Sequence, residues 1–318
     1  MRHLAVLAAV FLIGCGSDGG GGGGGGNGPD ASGGGDGGLP DSTPIPPGYT
    51  RLLGRTWSLP AGQPDTYKCV RFTVPTDTYV TDIVAQAPAG THHTVLSIAA
   101  GNAAGADGEY DCSVGTIGRP MLYASGVGTD PLTFPQNVGL KIAAGTQIHL
   151  NLHLFNATDM PIAGDSAILV KTTPTQPAML AEMVFAGKIL FTVAADGLPH
   201  DVTGGCTVQT PFQMFAYWPH MHKAATHSKL ELTHAGTTTV IHDKAYAFAE
   251  QLYYKDSPEI SVAQGDQIKV TCTYVNNTGT QLRFGDSTND EMCFTGMYRY
   301  PSQNASITQC TDVPSGIP

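Results

Sequence analysis

The sequence predicts an all-β fold of sandwich or barrel type, and three observations carry that expectation. Short segments of alternating apolar and polar residues recur along the chain, each bounded by Gly, Pro, Asn or Asp. No segment shows a sustained helical period with caps at both ends. Six of the seven cysteines are scattered among these segments with no Cys-x-x-Cys pair, as in an exported, disulfide-stapled β protein rather than a zinc ribbon or thioredoxin-type site.

The 318-residue chain begins Met1-Arg2-His3, followed by an apolar run from Leu4 to Ile13 and then Gly14-Cys15. That run is too short to span a bilayer and has the form of an export signal. Leu12-Ile13-Gly14-Cys15 has the form of a bacterial lipobox, so residues 1–15 are expected to be a lipoprotein signal with Cys15 as the lipidated residue. The protein would then be exported and held by lipid alone at a bacterial membrane, in the periplasm or at the outer-membrane surface. Residues 16–47 are almost all Gly, Ser, Asp and Pro and bury too little apolar surface to order themselves, which makes them a tether. They match G-x-G-x-x-G trivially, without the strand and helix that would give the match meaning.

About 270 residues remain, enough for one large domain or two ordinary ones. The first clear strand is Cys69–Val74. Next comes Ile148–Phe155, with Ile148, Leu150, Leu152 and Leu154 on one face and His149, Asn151 and His153 on the other. A Thr- and Pro-rich stretch, residues 172–177, interrupts the pattern, and a domain boundary is placed there, giving units 48–173 and 174–312. Lys229–Leu232 and Gln267–Cys272 are strands of the second unit. Ala143-Ala144-Gly145-Thr146-Gln147-Ile148 and Val262-Ala263-Gln264-Gly265-Asp266-Gln267-Ile268 are alike, a Gly turn feeding a strand, as two related sandwiches would require.

Histidine placement points to metal. In His220-Met221-His222 the imidazoles are two residues apart, so on an extended strand they share a side about 7 Å apart at Cα and can converge on one ion. His149 and His153 are about 13 Å apart along their strand, too far to chelate together, so at most one of them joins His92-His93. Adjacent residues of a flat strand face opposite ways, so the backbone must twist at His92-His93 for both rings to reach one ion, one through Nδ1 and the other through Nε2. Met292, in Asp290-Glu291-Met292-Cys293, offers a soft thioether suited to Cu(I). Asp290 and Glu291 are expected to be solvated or hydrogen-bonded turn residues. His200, His227, His234 and His242 are expected to be surface or hydrogen-bonded residues.

His92-His93, His153 in Leu150-Asn151-Leu152-His153, Phe215-Ala216-Tyr217-Trp218-Pro219-His220-Met221-His222 and Asp290-Glu291-Met292-Cys293 together resemble the copper type II, ascorbate-dependent monooxygenases. These include the peptidylglycine α-hydroxylating and dopamine β-monooxygenases. The resemblance runs in order from about Cys69 to Tyr300. It implies two tandem jelly-roll β-sandwich domains and two copper ions per chain. His92, His93 and His153 would hold an electron-transfer copper. His220, His222 and Met292 would hold the catalytic, oxygen-reacting copper across a solvent-filled cleft. It also implies three disulfides, Cys69 with Cys112, Cys206 with Cys310 and Cys272 with Cys293, where the cysteines alone leave the pairing open. Dioxygen and ascorbate as reductant would hydroxylate an activated C–H bond of a small-molecule substrate.

The sequence departs from the family at the substrate anchors. Amidating members carry an arginine two residues before the His-x-His motif and a tyrosine four residues after the methionine; here these are Trp218 and Gly296. An indole cannot supply a bidentate clamp for a carboxylate, so a peptidylglycine substrate is not expected. Trp218 is instead expected to line a pocket for an apolar or aromatic substrate. Two smaller departures are Asn151, where the family has glutamine, and Lys223, where amidating members have a further histidine. The formal charge is −10 with only 16 Lys plus Arg and no basic stripe, which excludes nucleic acid as a partner. The same ligands also suit a non-catalytic copper-binding lipoprotein. A plain β-sandwich adhesion module would bind no copper. Hydrolysis through a nucleophile elbow is excluded, because no Gly-x-Ser-x-Gly occurs.

Overall fold

A computed structural model describes residues 44–99, 104–113, 119–126, 129–248 and 252–312. Cys15, its signal and most of the Gly-rich segment lie outside the described residues. Among those described, no residue is helical and the fold is all-β. The first strands are β1 (Thr50–Leu59), β2 (Thr66–Thr73), β3 (Thr78–Gln86), β4 (Thr91–Ile98), β5 (Gly108–Asp111), β6 (Met121–Ser125) and β7 (Leu132–Thr133). Next come β8 (Val138–Ile142), β9 (Gln147–Leu154), β10 (Ile162–Thr173), β11 (Met179–Lys188), β12 (Thr192–Val193), β13 (Pro199–Thr207) and β14 (Phe212–His220). The last are β15 (Ala225–His234), β16 (Thr237–Ala245), β17 (Ile260–Val262), β18 (Gln267–Val275), β19 (Leu282–Arg283), β20 (Cys293–Tyr300) and β21 (Cys310–Asp312).

One sheet of ten strands runs β1-β10-β3-β8-β11-β20-β14-β17, with β7 added on β3 and β21 on β11. A five-stranded sheet, β5-β2-β9-β4-β6, packs against its first part. Val80, Ile83, Ile168 and Val170 from the long sheet meet Leu96, Ile148, Leu150 and Leu152 from the short one. A four-stranded sheet, β13-β18-β15-β16, packs against the second part, where Val184, Phe212 and Met214 meet Leu230, Ile268 and Val270. Each pairing is a sandwich whose core comes from the inward positions of period-two strands.

The expected boundary at 173/174 falls between β10 and β11. The long sheet is continuous across it through the parallel β8–β11 pairing, Met179 to Val138 and Leu180 to Gly139. Buried tyrosines of the second half bond to β6 of the first. Tyr253 Oη donates to Ala124 O at 2.5 Å and Tyr298 Oη donates to Leu122 O at 3.1 Å.

The likeness between 143–148 and 262–268 is structural as well. Gly145 (φ +79°) and Gly265 (φ +89°) both take the left-handed turn conformation that glycine adopts without strain. Gly145 N donates to Val74 O at 2.8 Å while Val74 N donates to Thr146 O. Gly265 N donates to Val208 O at 2.9 Å while Val208 N donates to Asp266 O. At the far ends of β9 and β18 the resemblance returns. Asn156 Oδ1 accepts from Thr158 N and Asn276 Oδ1 from Thr278 N, both at 3.0 Å. The two sandwiches are thus built to one plan around β9 and β18.

The cysteines pair Cys69–Cys112, Cys206–Cys310 and Cys272–Cys293, the connectivity that the family resemblance implied. Cys272–Cys293 joins β18 to β20 across the second sandwich, and Cys206–Cys310 joins β13 to β21.

The last loop is held by Glu182 on β11. Its carboxylate accepts from Arg299 Nε at 2.9 Å, from Gln303 N and Ala305 N at 3.0 Å each, and from Ser302 Oγ at 3.0 Å. Burial works to raise this carboxyl, but the amides of Gln303 and Ala305 and the Arg299 guanidinium outweigh it, leaving the folded value below the ordinary one. A depressed carboxyl stabilises the fold above its unfolded-state pKa, and that contribution is lost as pH falls through the folded value. Glu182→Gln is therefore expected to cost about 3 kcal/mol in urea unfolding at pH 7. The gap from wild type should close in acid below the ordinary carboxylate range. A gap that persists unchanged there would refute the role of the charge.

Candidate metal centre

His92 and His93 are adjacent on β4, yet both rings face the same space. The register between β4 and β9 explains it: Thr91 pairs with Leu154 and His93 with His153, leaving His92 as an extra residue. Such a bulge twists the strand, which is the distortion the adjacent pair requires. The ring nitrogens of His92, His93 and His153 lie within 4.8 Å of one another. Closest approach is through Nδ1 on all three rings, 3.2 Å between His92 and His93 and 3.5 Å between His93 and His153. On His153 the outer Nε2 lies 3.0 Å from Asp65 Oδ1 and the ring stacks on Tyr67 at 4.8 Å. A carboxylate on the outer nitrogen fixes ring orientation and tautomer, leaving the inner nitrogen for a metal.

Burial sets the protonation state. It pushes the His92 imidazole down to about 4 and lowers His153, while burial and the neighbouring rings hold His93 well below the usual range. All three are neutral at pH 7, the form that binds metal. The donor set therefore fits a soft-to-borderline ion such as copper.

Every residue of β9 from Ile148 to Leu154 is buried, on the polar face as well as the apolar one. Its polar face lies under a second layer. Asn151 Nδ2 donates to Ser113 O at 3.3 Å, and Arg119 Nη1 sits 3.1 Å from His149 Nδ1. His149 thus faces Arg119, and His153 alone of the two joins the His92-His93 group.

His220 ends β14, opposite Phe294 of β20, and His222 follows in the turn. Their ring centroids are 5.5 Å apart. Tyr246 holds the turn by accepting from Met221 N at 3.2 Å and donating to Met221 O at 2.7 Å. Glu291, expected to be a turn residue, is buried. Its two carboxylate oxygens accept from His222 N at 2.8 Å and Ala224 N at 2.7 Å. Burial pushes that carboxyl up to about 7, against three backbone amides that favour the charge. His222 Nδ1 donates to Asp290 O at 3.0 Å, which leaves its Nε2 as the outward nitrogen. Met292 is tied beside them by Tyr274 Oη, which donates to its carbonyl at 2.6 Å, and by the adjoining disulfide at Cys293.

His93 and His153 line a cavity, about 590 Å³ with its open, solvent-filled part included, together with His220, His222 and Met292. The Phe248 ring lies between the two groups, 5.1 Å from His92, 5.2 Å from His93 and 6.0 Å from His222. Trp218 also lines this cavity, but it is only 1 % exposed and its Nε1 has no hydrogen-bond partner. The indole lies against Gly296, its cross-strand partner, where a Cβ would fall 2.1 Å from Nε1. The two departures from the family pattern are therefore one packing feature.

Of the remaining histidines, His200, His227 and His234 pair with Asp196, Asp243 and Asp266 at 2.7, 2.9 and 2.7 Å. His242 is buried between Tyr217 and Tyr254. Sequence reading passed over Asp65, Tyr246 and Phe248 and undervalued Glu291. The one signal at hand was Glu291, a carboxylate directly before the candidate ligand Met292.

Fold and site together describe an all-β protein with paired histidine-based sites facing one cavity. Residues 193–315 match the family described as Copper type II ascorbate-dependent monooxygenase, C-terminal domain. A human protein named "Putative DBH-like monooxygenase protein 2" is 26 % identical over 257 residues, covering 71 % of this chain. The chain spans 50 % of that relative's length. Among solved structures, the major capsid protein P2 from bacteriophage PM2 aligns over 87 % of this chain and 98 % of its own, at 11 % identity and a TM-score of 0.29. A structure of infectious bursal disease virus aligns over 86 % of this chain and 78 % of its own, at 11 % identity and a TM-score of 0.19. Both scores are too low to carry an argument. Both matches support the copper type II, ascorbate-dependent monooxygenase family, the first of them through the C-terminal domain over residues 193–315.

Proposed function

We propose that this protein is a dicopper monooxygenase that hydroxylates an activated C–H bond of a small molecule with dioxygen and an ascorbate-type reductant. The observation that carries this reading is the meeting of two different donor sets, one of three imidazoles and one of two imidazoles with a thioether, on a single cavity. His92, His93 and His153 would hold one copper, and His220, His222 and Met292 the other. Copper bound there would supply one-electron storage at the first site and reaction with dioxygen at the second.

The protein's own residues do the rest. Burial lowers the imidazoles of His92, His93, His153 and His222, and Asp65 and the Asp290 carbonyl take one ring nitrogen each of His153 and His222, so the other faces the cavity. Met292 adds a soft donor that favours the reduced ion.

Coupling is the test. The copper-loaded protein, given ascorbate and a substrate it turns over, is expected to consume one dioxygen per hydroxylated product, with peroxide only as a side product. Copper uptake without coupled oxygen consumption would instead identify a copper-binding lipoprotein.

A further inference from the structure

A second cavity, about 520 Å³ with its open, solvent-filled part included, lies against the other side of the His220 and Met292 side chains. Its walls include Phe185, Phe284 and Phe294 with Ile189 and Ile307. Phe294 is the centre of this aromatic group, stacked on Phe185 at 4.8 Å and met edge-on by Phe284 at 5.8 Å. Met121, His220, Asp286 and Met292 line this cavity and the one between the histidine groups, so they form the partition.

We infer that this cavity is the substrate site and that it takes an uncharged, ring-bearing apolar molecule. The inference rests on the function proposed above for its place in catalysis, but its binding chemistry stands alone. Flat rings pack on such walls by offset stacking and edge contacts, each aromatic pair adding to plain area burial. Ligand pockets of this kind are mostly apolar with a few polar groups. The two charged residues of the lining, Arg119 and Asp286, are opposite in sign. Arg119 is turned toward His149, with Nη1 3.1 Å from its Nδ1. Among the described residues no like-charged pair lines the cavity, and its one cation, Arg119, is engaged at His149. A ring seated here would place its alkyl substituent, with the C–H bond to be hydroxylated, beside His220 and Met292, while the His92, His93 and His153 group stays beyond the partition.

Ile307 is the position at which to change the cavity's volume. Its carbonyl accepts from Phe185 N at 2.7 Å, a backbone bond that a side-chain substitution keeps. Equilibrium dialysis of the whole protein against 4-ethylphenol, 4-ethylbenzoate and 2-phenylethylammonium, with copper and after chelation, is the experiment. We expect 4-ethylphenol to bind at least tenfold tighter than either ion, with or without copper. Ile307→Phe should weaken it at least tenfold, while Ile307→Ala should keep it and admit 2-naphthol as well. Preferential binding of 4-ethylbenzoate, lost in Arg119→Gln, would overturn the inference, as would preferential binding of the ammonium. Equal binding by wild type and Ile307→Phe, at unchanged thermal midpoints, would also overturn it. Binding that follows the expected order in a protein with no coupled oxygen use would leave this inference standing and remove the proposed function.

Discussion

His93→Ala and His222→Ala are each expected to lower the copper content from two ions per protein molecule to one, and to abolish coupled turnover. Each imidazole sits in a prepared place. His93 is one of three rings gathered by the β4 bulge, and His222 is clamped by Glu291 and the Asp290 carbonyl. Removing one of three donors leaves a pair that holds copper far more weakly. Turnover should fall by at least about a thousandfold in both, because electrons must leave one site and be used at the other. Metal analysis beside oxygen uptake checks it. His200→Ala, on an exposed ion pair with Asp196, is the control and should keep both ions. One ion in the wild type, or two in either variant, would falsify the pairing of sites.

The second large effect concerns Trp218 and Gly296. A methyl group at 296 would meet the indole at 2.1 Å from Nε1 and 2.7 Å from Cε2, inside a packed core. Gly296→Ala is therefore expected to destabilise the fold by about 2 kcal/mol through overpacking. In a Trp218→Ala background the space is free and the same substitution should cost under about 0.5 kcal/mol, a coupling within the usual range for residues in contact. Gly296→Tyr should not fold beside Trp218, yet be recovered in part with Trp218→Ala. Urea unfolding of the four-member alanine cycle decides it, and equal costs in both backgrounds would show that the contact carries no weight. The family's tyrosine anchor could return at 296 only if the indole were given up.

Much of the fold was legible because its signals are local. The four strands chosen on alternation, at 69–74, 148–155, 229–232 and 267–272, fall on β2, β9, β15 and β18. The Gly-turn likeness marked the two central strands of a repeated plan. The need for a twist at His92-His93 followed from strand geometry, and the structure supplies it as a bulge. Alternation gave the two faces of β9 but not what covers them, since it reports polarity and not cover. Asn151 and His149 are buried because Ser113 and Arg119 come from distant segments to meet them.

Residue chemistry and spacing, being properties of neighbours in sequence, settle the β class and the candidate donor types, while the loss of a carboxylate clamp at Trp218 is what the family resemblance implies. The resemblance to a family adds the disulfide pairing, which the structure reproduces. Long-range placement lies beyond such signals. That Phe248 stands between the two histidine groups, that Asp65 orients His153, and that three phenylalanines wall a cavity behind Met292 all depend on strands brought together by two packed sheets. Spacing along a strand sets which side chains share a face. Only the closing of one sheet on another decides what that face meets.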